Sequence, residues 1–99
     1  MPKKADIKSS NEFKIAETES FTKKVHERDF KKYYSKIYDF VYSQLKINPY
    51  FGPNIKKLKG EFESMYRYRI GNIRLFYTIN NDEVVVLMID IEKRKDAYK

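Results

Sequence analysis

Three arginines stand at alternating positions around one turn-forming dipeptide. Arg67 and Arg69 precede Gly71 and the asparagine after it, and Arg74 follows them. A two-residue turn with glycine first is typical of a type II′ hairpin, and counting outward from it places Arg69 directly opposite Arg74. Because side chains alternate between the two faces of a sheet, the three arginines and Phe76 are predicted to share one face.

An arginine cluster of this kind has a specific use in recognition. Like charges directly opposite each other destabilise a strand pair, and an anion between them removes that penalty. Guanidinium groups carry forked donors that match phosphate oxygens, so the pattern predicts a phosphate-binding face with a neighbouring aromatic ring. The alternative is that the arginines spread outward and pair with carboxylates elsewhere. We favour the first interpretation because the hairpin face supplies no carboxylate of its own.

Composition restricts the kind of site the chain can hold. It has 99 residues, no cysteine, one histidine and a net charge of +7. A chain of this length buries one modest core, and without cysteine it has no disulfide framework and no thiolate metal site. We therefore expect no metal, no cofactor and an anionic partner. The single histidine, His26, is predicted to face solvent or a partner.

The basic charge is concentrated near the arginines. Residues 55–77 carry six basic and two acidic groups, whereas residues 78–90 carry three acidic groups and no basic one. The N-terminal MPKKADIKSS lacks the apolar core of a signal peptide, and no run approaches the roughly 20 apolar residues that span a bilayer. We expect a cytoplasmic protein with no membrane partner.

The first half of the chain predicts one strand and two helices. Residues 1–11 are polar and aperiodic and are expected to form a flexible tail, with a single domain over residues 12–99. A short strand is expected around Ile15, then a helix capped by Ser20 and running to about Arg28. Asp29 is predicted to cap the longest helix, which ends at Asn48 before a proline.

One apolar stripe follows that long helix at three- and four-residue spacing. Its members are Phe30, Tyr34, Ile37, Val41 and Leu45. Several further tyrosines widen the stripe, and they could stack on nucleic-acid bases. Core packing and partner docking are the interpretations we favour for aromatic residues at helical spacing.

The second half predicts a sheet. Residues 50–60 are expected to form a loop in which the segment IKKLK makes a turn of helix. Strands are predicted over residues 65–70, 73–80 and 84–91, with a tight turn at Asn81-Asp82 before the last, which we expect to be central and covered on both faces. The expected fold is α+β, a small, twisted, mostly antiparallel four-stranded sheet with two N-terminal helices on one face in the order β-α-α-β-β-β.

Several sequence segments, taken in order, resemble one toxin superfamily. The stretch LKGEFESMYRYRIGNIRLFYTI, followed by VVVLMIDIEKRKDAYK, is similar to the RelE/ParE superfamily, and the likeness covers residues 13–99. The resemblance implies a RelE-like microbial RNase fold and the toxin component of a type II toxin-antitoxin system. The implied activity is that of a ribosome-dependent mRNA interferase, which cleaves mRNA and so blocks translation. In the implied reaction a ribose 2′-hydroxyl attacks the adjacent phosphate, without metal or cofactor.

The same resemblance implies roles for individual residues. Arg67 and Arg69 occupy the positions of two basic residues on the family's second strand. Arg74 and Arg94 would stabilise the pentacoordinate phosphate. Tyr98 would stack on a base or orient the 2′-hydroxyl.

The group that moves the proton is not assigned by the resemblance. Arginine stays protonated and is a poor general base, and the histidine that other members carry just before the late arginine is replaced here by Lys93. Lys93, Glu61, Glu63 and Asp96 are the candidates, and Lys93, among the arginines, is the first to test.

Two other activities and three partners follow from the resemblance and the charge. ParE-like members poison DNA gyrase without nuclease chemistry, and an arginine face with aromatic residues could bind single strands without cutting them. The implied partners are mRNA in the ribosomal A site, the ribosome, and an acidic, partly disordered antitoxin that wraps the helices and covers the arginine face.

Overall fold

Five strands and two helical segments make up the computed structural model, which describes residues 12–60 and 64–93. The strands are β1 (Lys14–Glu17), β2 (Ile55–Lys57), β3 (Tyr66–Ile70), β4 (Ile73–Asn80) and β5 (Val85–Lys93). They form one sheet in the order β1-β5-β4-β3-β2, with β1 parallel to β5 and every other pair antiparallel. The predicted α+β class and the mostly antiparallel sheet are confirmed.

The predicted number of four strands is wrong, because the IKKLK segment forms strand β2 and not a turn of helix. Ile55 lies opposite Tyr68 of β3, and the Leu58 amide donates a 2.9 Å hydrogen bond to the Met65 carbonyl just beyond the strand. The edge of β3 supplies hydrogen-bond partners for the backbone groups of this segment. The segment is too short to form a stable helix that would satisfy those groups internally.

The first helix, α1, spans Glu19–Val25 and begins two residues earlier than predicted. Thr18 caps it, since its Oγ1 accepts a 3.0 Å hydrogen bond from the Phe21 amide. Ser20 lies inside the helix, and α1 ends at Val25, with His26 as its C-cap, instead of near Arg28. The helix buries Phe21 and Val25 against the sheet.

The second helical segment, α2, covers residues 31–47 and is irregular. It runs through a 3₁₀ turn (Lys31–Tyr33), an α turn (Tyr34–Lys36), a π turn (Ile37–Val41) and a final α-helical stretch (Tyr42–Ile47). Asp29 does not cap it, because Phe30 stands at its start without a side-chain cap. The end at Asn48 before Pro49 is confirmed.

The predicted stripe supplies most of the helical side of the core. Phe30, Ile37, Val41 and Leu45 are buried, and Tyr34 is half-buried. They face the buried sheet residues Tyr68, Ile73, Leu75, Tyr77, Val86, Met88 and Ile91. The helices and these residues lie on the same face of the sheet, so the core is a single layer between them.

β5 differs from the prediction in its surroundings. It lies between β1 and β4, and β4 is the middle strand of the five. Val86 and Met88 of β5 are buried whereas Val85 and Leu87 are half-exposed, so complete coverage of both faces is not observed. The loop before it spans residues 81–84 and is not a two-residue turn.

The β3–β4 hairpin has the predicted register. Arg69 pairs with Arg74 and Arg67 pairs with Phe76. Gly71 has a φ of +56°, while the asparagine after it is not among the residues of positive φ, as a type II′ turn requires. In the described ranges no helix is long and apolar enough to cross a membrane.

Candidate functional site

The face of the sheet away from the helices carries most of its charge, and we call it the open face. It is defined here by Lys56, Arg67, Arg69, Arg74, Phe76, Asp90 and Glu92. Strand register arranges these residues in two rows across the sheet. Lys56, Arg67, Phe76 and Asp90 form one row, and Arg69, Arg74 and Glu92 form the next.

Arg74 lies between a cation and an anion. Arg69 stands opposite it on β3, and Glu92 stands opposite it on β5. The hairpin itself contributes no carboxylate to this face, as expected, but β5 brings Asp90 and Glu92 to it. Neither Arg69 nor Arg74 forms an ion pair with any carboxylate in the described part of the chain, so the alternative in which internal carboxylates neutralise the cluster is not observed for these two.

The Arg74 guanidinium also has an unused donor. Its Nε is buried and has no hydrogen-bond acceptor among the described residues. A buried donor without an acceptor costs about 1–3 kcal/mol. An anion bound over the open face would supply an acceptor for this donor and reduce the repulsion from Arg69.

The neighbouring row ends in a neutralised carboxylate. Asp90 Oδ1 accepts 3.0 Å and 2.8 Å hydrogen bonds from Lys24 Nζ of α1 and from the Ile91 amide. Lys56 and Arg67 stand side by side at the other end of the row. Positive charge is therefore greatest on the β2–β3–β4 side of the open face.

A cavity of about 340 Å³ opens beside the arginines. Its lining is formed by Leu58, Met65, Phe76, Ile89, Asp90 and Glu92. It arises because the β4–β5 register shifts between Phe76 and Tyr77, so that Phe76 pairs with Asp90 while Tyr77 pairs with Met88. The extra residue, Ile89, is a bulge that turns additional side chains toward this face. A bulge leaves no periodic pattern in a strand as apolar as β5, so hydrophobic periodicity does not reveal it.

The predicted proton-transfer residue is not next to the arginines. Lys93 pairs with Ile73, which is buried on the helix side, so Lys93 projects from the opposite face to Arg74. His26, the C-cap of α1, is exposed, with Nδ1 2.7 Å from the Thr22 carbonyl oxygen. The remaining predicted residues Arg94, Tyr98, Asp96, Glu61 and Glu63 lie outside the described residues.

Several solved structures share this fold, and the match to this chain extends over nearly the whole length of each. One chain of the toxin-antitoxin complex RelBE2 from Mycobacterium tuberculosis matches 84% of this chain and 99% of its own, with a TM-score of 0.72 and 19% identity. The YoeB/ParE toxin from Agrobacterium tumefaciens matches 84% of this chain and 100% of its own, with a TM-score of 0.67 and 20% identity. An archaeal RelE-RelB complex from Pyrococcus horikoshii matches 83% and 94%, with a TM-score of 0.64 and 22% identity.

Sequence comparison gives the family. RelE1 of Methanocaldococcus jannaschii is 41% identical over 46 residues, and this match spans 46% of the chain but only 50% of that relative. The family model for the ParE toxin of the type II toxin-antitoxin system parDE matches residues 20–98. The chain therefore belongs to the ParE toxin family of type II toxin-antitoxin systems, within the RelE/ParE superfamily.

Proposed function

We propose that this protein is the toxin of a type II toxin-antitoxin pair and acts in the cytoplasm as an endoribonuclease on mRNA in the ribosomal A site. The observation that carries the proposal is Arg74, which is held against Arg69 with a buried Nε that has no acceptor among the described residues. A phosphate oxygen is the partner that satisfies both features at once.

The reaction is a transesterification at one phosphodiester group of the RNA. The ribose 2′-oxygen loses its proton and bonds to phosphorus while the bond from phosphorus to the 5′-oxygen breaks and that oxygen gains a proton. The products are a 2′,3′-cyclic phosphate and a free 5′-hydroxyl. Arg67, Arg69 and Arg74, with Arg94 from the C-terminal segment, would stabilise the charge of the pentacoordinate intermediate.

Glu92 is the residue we assign to accept the 2′-hydroxyl proton. It is opposite Arg74 on the open face, is exposed, and makes no ion pair in the described ranges. Lys93 projects from the other face and is a weaker candidate for this step. A nucleobase beside the scissile bond would enter the cavity over Phe76, and Tyr98 would stack on a second base.

An antitoxin partner is part of this proposal. The similar structures from Mycobacterium tuberculosis and Pyrococcus horikoshii are complexes of a toxin with its antitoxin. The net charge of +7 favours an acidic protein, and the exposed fractions of Phe40 (62%), Ile47 (73%) and Phe51 (77%) leave apolar area for it to cover. Co-expression with any small acidic protein encoded beside this gene should give a copurifying complex, and growth that continues when the chain is strongly expressed alone would argue against this role.

A gyrase poison is the second candidate, because the family model that matches is that of ParE. In that case the arginine face would bind protein or DNA, and no RNA would be cut. A module that binds RNA without cleaving it is the third outcome.

A pulse of expression in cells, followed by mapping of RNA 5′ ends and of chromosome breaks, separates these activities. New 5′ ends inside translated codons are expected, and they should disappear with Arg74→Ala and fall at least tenfold with Glu92→Gln. Lys36→Ala, an exposed helix residue remote from the open face, is the control and should cleave normally. DNA breaks with intact messages would replace the nuclease by the gyrase poison.

A further inference from the structure

A second cluster of polar side chains lies on the helix side of the sheet, around the carboxylate of Glu17. Glu17 Oε1 accepts a 2.8 Å hydrogen bond from the Thr22 hydroxyl, and Oε2 accepts 2.7 Å hydrogen bonds from the hydroxyls of both Tyr34 and Tyr42. No lysine, arginine or histidine in the described part of the chain forms an ion pair with it. A carboxylate offers about four lone-pair positions, so one on Oε1 is left for another donor.

The π turn of α2 is what brings the two tyrosines to this carboxylate. In a regular α-helix, residues i and i+8 differ by about 80° around the axis. A π turn accommodates one extra residue and reduces that offset to about 20°. Tyr34, Tyr38 and Tyr42 consequently form one ladder, with ring centroids 6.1 Å and 5.6 Å apart.

The ladder and the carboxylate form the wall of an open cavity of about 660 Å³. Its lining consists of Glu12, Phe13, Lys14, Ile15, Glu17, Tyr34, Tyr38, Tyr42 and Lys46. Tyr38 is 57% exposed, and its ring lies between the two that hold Glu17. The cavity is separate from the open face because it lies between β1 and α2.

We propose that this cavity binds the guanidinium group of an arginine side chain presented by a partner polypeptide. Aromatic ring faces attract a cation, and an ionised carboxylate with a remaining acceptor position gives it a charged hydrogen-bond partner. A guanidinium stacks on a ring and donates to a carboxylate at the same time, which an ammonium does less well. The inference is independent of the proposed nuclease activity.

The protonation state of Glu17 agrees with this role. Burial raises the pKa of its carboxyl, but the hydrogen bonds from the Tyr42, Tyr34 and Thr22 hydroxyls, together with the nearby His26, lower it by more, so the net pKa lies below the ordinary value. The carboxylate is thus charged at neutral pH. Lys14 and Lys46 at the rim are exposed, make no ion pair in the described ranges, and reduce the attraction for a cation.

The test is a titration of the full chain with N-acetylarginine amide. Binding is monitored by the NMR chemical shifts of the tyrosine rings and of the residues around Glu17. Saturable shifts centred on Tyr38 are expected, with markedly weaker binding of the N-acetylcitrulline amide, which has nearly the same shape and no charge. Tyr38→Ala should weaken arginine binding about fivefold, because it removes a ring face without touching the hydrogen bonds to Glu17. Phe40→Ala, equally exposed on another side of the helix, should leave binding unchanged.

A second variant is expected to change the affinity for the arginine probe in the opposite direction to Tyr38→Ala. Lys46→Met removes a rim charge and should strengthen binding of the arginine probe. The proposal is overturned if the probe gives no saturable shift, if the citrulline analogue binds equally well, or if Tyr38→Ala and Phe40→Ala behave alike. In those cases the Glu17 cluster only fastens α2 to β1.

Discussion

At the scale of the residue, charge placement distinguishes the two clusters of this protein. On the open face, Arg69 and Arg74 are held side by side although like charges repel. Around Glu17, three hydroxyl groups donate hydrogen bonds to an anion that forms no ion pair within the described part of the chain. The first arrangement lowers the free energy of unfolding and the second lowers the pKa of Glu17, and a substitution can measure each effect.

Relief of the arginine repulsion should stabilise the fold. Arg69→Thr removes one of two opposed cations and keeps a good strand former, so the free energy of unfolding should rise by about 0.5 kcal/mol at low salt. The gain should shrink in about 1 M salt, where charges on the surface are screened. Urea unfolding at both salt concentrations measures it. Lys57→Thr, opposite Tyr66 on the edge strand, is the control, and an equal gain in both variants would contradict the repulsion.

Glu17 should make stability depend on acid pH. Its folded-state pKa is lowered, so the stability it contributes is present above the unfolded value of 4.5 and is lost as pH falls through the folded value. Between about pH 5 and about pH 3, the unfolding free energy of the wild type should fall more steeply than that of Glu17→Gln. Urea titrations at several pH values test this. Parallel pH profiles would show that the three hydroxyls do not stabilise the charged form.

At the scale of the element, local irregularities position the side chains of the two candidate sites. The π turn aligns the tyrosine ladder, and the β5 bulge opens the cavity beside Phe76. The type II′ turn sets the register that brings Arg69 to Arg74. The placement of these side chains therefore depends on the backbone conformation at a few positions more than on the average helix or strand propensity of the segments.

Gly71 is the position where this dependence can be measured. Its φ of +56° disfavours residues with a Cβ, and a Cβ placed there would meet no atom within 4 Å. Gly71→Ala should therefore cost about 1–2 kcal/mol of stability from backbone conformation alone. Chemical denaturation measures this cost. Asn72→Ala is the matched control and should cost much less, whereas equal losses would mean that the turn is not of type II′.

At the scale of the whole molecule, the sheet separates two surfaces of different charge. The helices cover one face, and the other presents the arginine rows. With a net charge of +7, the protein should bind RNA with strong salt dependence, because cations that contact phosphate release counterions.

The contribution of the open face to that binding can be isolated. For a single-stranded RNA oligonucleotide, Arg74→Ala should weaken binding and reduce the slope of log affinity against log salt by about 1. Lys36→Ala removes the same charge from the helical layer and should leave the slope unchanged. Filter binding across salt concentrations gives both slopes. Identical effects of the two variants would mean that net charge, and not the arginine rows, determines affinity.

Much of the fold follows from local patterns. The apolar stripe of α2 and the β3–β4 register were both predicted, because helical periodicity and a two-residue turn are properties of neighbouring residues. Strand β2 was missed because its three residues form a strand only where the edge of β3 accepts their hydrogen bonds. Local propensity carries no information about such a partner.

The sequence by itself determined that Arg67, Arg69 and Arg74 share a face, since counting from one turn requires no distant contact. Only the tertiary structure decided which residues of β5 join them. The loop at residues 81–84 and the bulge at Ile89 change the count between β4 and β5, so Glu92 lies beside Arg74 and Lys93 does not. The side-chain period of a strand is two, and each single-residue shift therefore moves every later side chain to the other face.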